Sequence, residues 1–205
     1  MNGRAPTVFV VDDDSGVRSS IHLLLKSVGI VTTTFASAAE FLAAYDHSQP
    51  GCLILDIRMP GMSGMDLQLE LNRLGATLPV IFMTGHGDIP MAVEAMQQGA
   101  FDFLQKPFRD LDLIQRIQQA LQQDETLRTA LRQTDAIRKR LASLTARERE
   151  VLALLADGKQ NKVMAAELGL SQRTVEIHRA NVMDKMQTRS VAQLVRMLLE
   201  ARSTP

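Results

Sequence analysis

One cysteine, Cys52, stands in 205 residues, which excludes an intramolecular disulfide. Its place in an apolar run marks it as a small buried hydrophobe more than a nucleophile. No uninterrupted apolar run approaches the roughly 18 residues needed to span a bilayer. The N-terminus, Met1 to Pro6, has no apolar core of a secretory signal and leads into a strand, so the expected location is the cytoplasm. Net charge is absent as well, since 23 basic residues balance 23 acidic ones. A hydrophobic content of 45% and a charged content of 22% exclude the disordered class. The length allows one or two domains with cores of their own, and two fits better.

The zero net charge hides an asymmetry. Residues 1–120 carry 8 basic and 13 acidic side chains, residues 121–144 carry 5 and 3, and residues 145–205 carry 10 and 7. An acidic front and a basic back point to different partners, a metal for the first and nucleic acid for the second.

What is present in the front half is organised around Cys52 to Gly64. Leu53 to Leu55, bounded by Pro50-Gly51 and Pro60-Gly61, form a short strand buried on both faces, with Asp56 at its C-terminal end. In an open parallel sheet that end lines the binding crevice, although an Asp there can equally open a turn. Val8 to Val11 is a second apolar strand and ends on Asp12-Asp13-Asp14. A helix follows with Val17, Ile21, Leu24, Leu25 and Val28 inward and Gly29 as its stop, and Asp14 suits its N-cap. Next come a β-branched strand, Ile30 to Phe35, and a helix opened by the capping box Ser37 to Glu40 with Phe41 and Leu42 inward. Further helices are predicted at about 63–74, 89–98 and from Asp110, with strands at 78–83 and 101–105. Five strand-helix repeats in about 120 residues argue for a parallel α/β sheet with helices on both faces.

One edge of such a sheet gathers Asp12, Asp13, Asp56, Thr84 and Lys106. Three carboxylates side by side repel one another unless cations compensate them. Magnesium suits a set made only of oxygen ligands and works with phosphoryl groups. Lysine adds a mobile point charge and threonine a hydroxyl. A carboxylate held among them can act as a nucleophile toward phosphorus.

These residues resemble the receiver domains of two-component response regulators. The likeness runs from residue 7 to about 122 and rests on Val10 to Asp13, Leu55 to Gly64, Met83 to Gly87 and Lys106 to Phe108. The resemblance implies a flavodoxin-like, five-stranded, doubly wound sheet. It implies that Asp56 accepts a phosphoryl group from a histidine kinase, and that Asp12, Asp13, Asp56 and the Arg58 carbonyl hold Mg²⁺. Thr84 and Lys106 would contact phosphoryl oxygens. Phe103 matches an aromatic whose rotamer reports phosphorylation, with plain core packing as the alternative. His86 reads as a loop residue, and His22 and His47 as surface. In the family, residues 88–122 would form the surface that dimerises on phosphorylation, with Met91, Val93 and Met96 as contacts or, alternatively, as core.

From Leu113 to about Leu144 the pattern is helical and free of Gly and Pro, so residues 123–142 read as a helical linker and 143–205 as a second domain. Thr145 to Glu148 is a capping box, a short helix runs from about Lys162 to Leu168, and Gly169-Leu170-Ser171 turns into a helix from Gln172 to Met186, with a last helix over 190–201. Two helices joined by a tight glycine turn form a helix-turn-helix, with a plain four-helix bundle as the alternative. The runs Leu144 to Leu152, Asn161-Lys162 and Thr174 to Asn181 resemble the DNA-binding domain of LuxR/NarL-type regulators. Taken with Gly85 to Met96 and Arg173 to Glu176, the whole chain resembles response regulators of the FixJ type.

With Val175, Val182 and Met186 toward the core, Glu176, Ile177, Arg179 and Ala180 would face the groove, and Lys162, Arg173, Thr174, His178 and Lys185 would meet phosphates. The expected partners are a sensor kinase, double-stranded promoter DNA and a second copy of the chain, with RNA polymerase as a further candidate and no membrane. The expected output is activated transcription. Two alternatives remain: a phosphorylation-independent DNA-binding regulator with a relic receiver, and a phosphoaspartyl phosphotransfer enzyme.

Overall fold

The computed structural model describes residues 4–85 and 89–203, so the expectation for His86 and the Gly87-Asp88 part of the run after Thr84 lies outside the described residues. The chain divides into two compact units, Met1–Leu127 and Arg128–Pro205.

The first unit alternates strand and helix: β1 (Thr7–Val11), α1 (Ser15–Ser27), β2 (Thr32–Phe35), α2 (Ala38–Ala44), β3 (Gly51–Asp56), α3 (Gly64–Arg73), β4 (Val80–Thr84), α4 (Ile89–Gln97), β5 (Asp102–Gln105) and α5 (Asp110–Ala142). The strands form one sheet in the order β2-β1-β3-β4-β5, and every pairing is parallel. This is the flavodoxin-like order, in which the topology reverses between β1 and β3. The sequence expectation of a doubly wound five-stranded sheet holds.

Alternation along the strands sorts the core into two layers. Phe9, Val11, Leu53, Leu55 and Phe82 pack against Phe41 of α2, Leu67 and Leu71 of α3 and Ala95 of α4. Val8, Val10, Ile54, Ile81 and Met83 pack against Ile21 and Leu25 of α1 and Leu113 and Ile117 of α5. Leu53, Ile54 and Leu55 are wholly buried, and Cys52 beside them is too. Each such aliphatic side chain contributes about 1.5–3 kcal/mol, which holds β3 in the centre of the sheet with its terminal acid at the crevice edge. The other end of β3 is tied to α5, where the buried Asp124 Oδ2 accepts the Gly51 N–H at 2.9 Å.

The helices begin where side chains satisfy their first N–H groups. Asp14 Oδ1 accepts from the amides of Gly16 and Val17, so Asp14 is the cap of α1. Ser37 caps α2, and Ser63 with Asp66 forms a reciprocal capping box on α3. Two readings from the pattern are corrected. Val28 does not face inward: α1 ends at Ser27 and Val28, at the cap, is 48% exposed. Ile30 and Val31 precede β2 instead of belonging to it, because only from Thr32 onward does this edge strand lie in the ladder with β1. Elsewhere element ends differ from the sequence reading by one or two residues, as helix and strand termini do.

Residues 123–142 lie within α5, an unbroken helix of 33 residues. In the second unit its C-terminal part supplies Ile137 and Leu141 to a core shared with Leu144 and four further helices, α6 (Ala146–Ala156), α7 (Asn161–Leu168), α8 (Gln172–Lys185) and α9 (Val191–Ser203). Gly169 ends α7 in the left-handed conformation, φ 65°, which glycine adopts at no steric cost. Ser171 then caps α8 by accepting the Thr174 N–H at 3.1 Å. Val175, Val182 and Met186 are fully buried, as their spacing on α8 requires.

Candidate functional site

The C-terminal edge of the sheet brings together residues from four strands. Asp12 follows β1, Asp56 ends β3, Thr84 ends β4 and Lys106 follows β5. The ladder sets their level, with Val11 opposite Leu55, Asp56 opposite Met83 and Thr84 opposite Gln105. Past the strands the backbone continues the alignment: Asp12 N donates to the Phe35 carbonyl at 3.3 Å and Lys106 N to the Thr84 carbonyl at 2.7 Å.

Lys106 reaches back across this edge. Its Nζ donates to Asp12 Oδ2 at 2.8 Å and to Asp56 Oδ1 at 2.6 Å. The remaining carboxylate oxygens are held by backbone amides, Asp12 Oδ1 by Asp14 N–H and Asp56 Oδ2 by Arg58 N–H, both at 2.8 Å. Arg18 secures the strand end by donating to the Asp12 carbonyl at 2.6 Å. Asp12, Asp56 and Thr84 are buried, whereas Asp13 and the Arg58 side chain are exposed.

Burial, with the neighbouring Asp12 adding to it, pushes the Asp56 carboxyl above the ordinary carboxylate range against the pull of the Lys106 hydrogen bond and charge. Burial acts downward on the Lys106 ammonium, yet its hydrogen bonds to Asp12 and Asp56 and their charges carry it above its usual value. One cation shared by two acids favours the charged lysine while the Asp56 carboxylate stays disfavoured. The site is therefore short of positive charge, and a cation or a protonated group would be welcome there.

Among the described residues no three His, Cys, Asp or Glu side chains gather closely enough to hold a metal ion. The geometry converges on two acids, Asp12 and Asp56. That is compatible with magnesium, which commonly binds through one or two carboxylates with water and phosphate oxygens completing its shell.

Close approach shapes the floor of the site. A Cβ on Gly64 would stand 2.2 Å from the Asp56 carbonyl oxygen, and the Gly64 N–H donates to the Ile57 carbonyl at 3.0 Å. Only a glycine lets α3 start this near the acid. Phe103 on the edge strand β5 is 39% exposed, which rules out the core-packing reading, while Leu104 next to it is buried. On α4, Val93 and Met96 are exposed, and Met91 packs partly into the core.

In the second unit Glu176, Ile177 and Ala180 lie on the exposed side of α8, with Ile177 54% exposed. Arg173 and Lys162 are exposed too, and Thr174 and His178 are half-buried. Arg179 is half-buried and donates through Nη1 to Asn161 Oδ1 on α7 at 2.9 Å. Lys185 donates to Glu148 Oε2 at 2.7 Å and to the Ser143 carbonyl at 3.4 Å. Glu148 is buried and also accepts the Thr145 N–H as half of the capping box on α6. Its carboxyl falls below the ordinary range, first because of Lys185 and then because of Thr145. The capping box was visible in the sequence, but its need for a cation from the far end of α8 was not.

Comparison with known proteins identifies the family of both units. Residues 8–118 match the family described as response regulator receiver domain, and residues 142–198 match bacterial regulatory proteins, luxR family. The chain is 49% identical to the transcriptional regulatory protein FixJ of Azorhizobium caulinodans, over 97% of this chain and 94% of that one. It is 48% identical to nodulation protein W of Bradyrhizobium diazoefficiens, over 93% and 84%. Among solved structures, the response regulator StyR is 46% identical with a TM-score of 0.90, covering 96% of this chain and 100% of that one. Full-length FixJ from B. japonicum is 41% identical with a TM-score of 0.59, covering 98% of each chain. The chain thus belongs to the two-component response regulators, with a receiver domain followed by a LuxR-type helix-turn-helix DNA-binding domain.

Proposed function

We propose that phosphorylation of Asp56 by a sensor histidine kinase switches this regulator between monomer and dimer and so controls promoter binding through α8. The observation that carries the reading is the Lys106 ammonium, within hydrogen-bond distance of both Asp12 and Asp56 at the crevice edge.

In this reading an Asp56 carboxylate oxygen attacks the phosphorus of a phosphohistidine. The phosphorus–nitrogen bond breaks, its electron pair leaves with the imidazole, and an acyl phosphate forms. Lys106 exchanges a carboxylate oxygen for a phosphoryl oxygen, and the Thr84 hydroxyl donates to another. Mg²⁺, held by Asp12, Asp56 and the Arg58 carbonyl once the exposed Asp13 turns in to complete the set, would supply the positive charge the site lacks and offset the incoming phosphoryl oxygens. The catalysis the chain retains is its own phosphorylation from phosphodonors and its own dephosphorylation.

The phosphoryl group adds about −1.5 to −2 charges at one point. New contacts from Thr84 and Lys106 then favour a second arrangement of residues 88–122, of which Asp88 lies outside the described residues. Phe103 turns with that change. Val93 and Met96, exposed on α4, meet a second copy. Two α8 helices then address half-sites about one DNA turn apart. Glu176 accepts from cytosine, Arg179 reads guanine, and Ile177 and Ala180 meet thymine methyls. Lys162, Arg173, Thr174 and His178 contact phosphates, while the bond to Glu148 keeps Lys185 out of that set. The output is activation, through recruitment of RNA polymerase.

Incubation with a small phosphodonor and Mg²⁺ is expected to add the mass of one phosphoryl group to the wild type and none to Asp56→Asn, and to tighten binding to the neighbouring promoter in step. A wild-type chain that gains no mass yet binds the promoter sinks the switch and leaves a phosphorylation-independent regulator. Turnover of an external phosphorylated substrate makes the protein an enzyme instead.

A further inference from the structure

We infer that Asn161 is a positioning residue for DNA reading: it holds the Arg179 guanidinium where that group can take a guanine edge, so that base preference belongs to an Asn–Arg pair bridging both helices of the helix-turn-helix. The inference rests on the proposed placing of α8 in the major groove.

Arg179 is not on the outward face of α8. It follows Val175 by four residues and precedes Val182 by three, so it shares the stripe of fully buried residues. Its half-buried stem leaves that stripe toward α7, where Nη1 meets Asn161 Oδ1 at 2.9 Å. Glu176, Ile177 and Ala180 are exposed without such help. A long arginine stem can carry its charged head out of an apolar seam, but its direction is then set by whatever holds the head. Here that holder is an oxygen at the first position of α7, the helix that packs against α8.

The chemistry of the holder matters. The bond uses one of the five guanidinium donors, and guanine O6 and N7 need two. An amide oxygen is neutral, so it directs the guanidinium without neutralising it. A carboxylate in its place would bind roughly twice as strongly and compete with the base. This separates positioning from a plain strut between α7 and α8: Asn161→Asp should strengthen a strut but spoil a reader.

The test uses the full chain, with and without phosphodonor, and selection from a pool of random duplex DNA. The readout is the ratio of binding to a selected duplex over the same duplex with its guanine replaced, which cancels general charge effects. Arg179→Ala is expected to abolish one guanine preference, and Asn161→Ala to weaken the same preference about ten-fold. The double variant should be no worse than Arg179→Ala alone. Asn161→Asp should also lose the preference while its thermal unfolding midpoint stays at or above that of the wild type. The inference is overturned if Asn161→Asp keeps the wild-type ratio, if the two alanine effects add, or if Arg179→Ala leaves every guanine preference in place. A wild-type chain that enriches no sequence overturns the groove placement and this inference together, whereas wild-type enrichment shared unchanged by Asn161→Ala overturns this inference alone.

Discussion

Lys106 Nζ lies 2.6 Å from Asp56 Oδ1, although fifty residues separate them in the chain. The same ammonium serves Asp12, so removing it would leave two neighbouring acids with no cation between them. Lys106→Met is expected to destabilise the receiver by about 1–2 kcal/mol at neutral pH, a modest figure because the lysine is partly exposed. The sign of the pH effect follows from the raised Asp56 carboxyl. A folded-state pKa above the unfolded one means that ionisation costs stability, and the cost fades as pH falls through the folded value. The raised Lys106 ammonium keeps its charge across this range, so its contribution changes only through its partner and fades as the raised Asp56 carboxyl takes up its proton. Urea unfolding of both proteins at neutral and mildly acidic pH should therefore show the gap narrowing in acid. A gap that widens there contradicts the electrostatic account.

Gly64 gives a steric prediction at the same site. A methyl group there would collide with the Asp56 carbonyl, which as backbone cannot move cheaply. Gly64→Ala is expected to cost about 1–3 kcal/mol and to slow phosphorylation by small phosphodonors, because α3 must retreat from the acid. An unchanged unfolding midpoint together with an unchanged phosphorylation rate would count against the tight approach.

Lys185 can be assigned by separating stability from DNA binding. Its bond to Glu148 predicts that Lys185→Met lowers the thermal midpoint of the DNA-binding domain. Glu148 has a lowered carboxyl, so its contribution is present above the ordinary carboxylate range and is lost as pH falls through the lowered folded value. The difference between variant and wild type should shrink in acid accordingly. A phosphate contact predicts something else, a drop of about 1 in the salt dependence of DNA affinity. Titrations of duplex DNA at several salt concentrations should show no such drop.

Val93 on α4 is half exposed, so Val93→Asp is expected to leave monomer stability within about 0.5 kcal/mol. Under the proposed switch it should prevent dimerisation of the phosphorylated chain. Sedimentation of variant and wild type after phosphodonor treatment decides the matter, and a variant that dimerises normally moves the interface elsewhere.

Much of the protein could be read along the chain because its signals are local. The alternation that sends Val8, Val10 and Ile54 to one face and Phe9, Val11, Leu53 and Leu55 to the other is a period-two pattern. The caps at Asp14, Ser37, Thr145 and Ser171 act within three residues. A strand that stops on an acid was visible at Asp12 and at Asp56, and parallel pairing was implied by the helices between. These features determined the doubly wound sheet, the helix-turn-helix and the acid, threonine and lysine set at one edge.

Tertiary structure decided which of those groups touch. The sequence treated Asp12, Asp13 and Asp56 as equals, whereas the fold turns Asp12 and Asp56 onto one ammonium and leaves Asp13 exposed. It placed Arg179 and Lys185 among DNA contacts, whereas the fold gives each a protein partner, Asn161 and Glu148, from another helix. It could not tell whether Phe103 packs in the core, and the edge position of β5 leaves that ring exposed. The physical reason is the same throughout. Periodicity and capping record what a residue does with neighbours a few positions away, while a charge is satisfied by whichever opposite charge or oxygen the packed elements bring within about 3 Å.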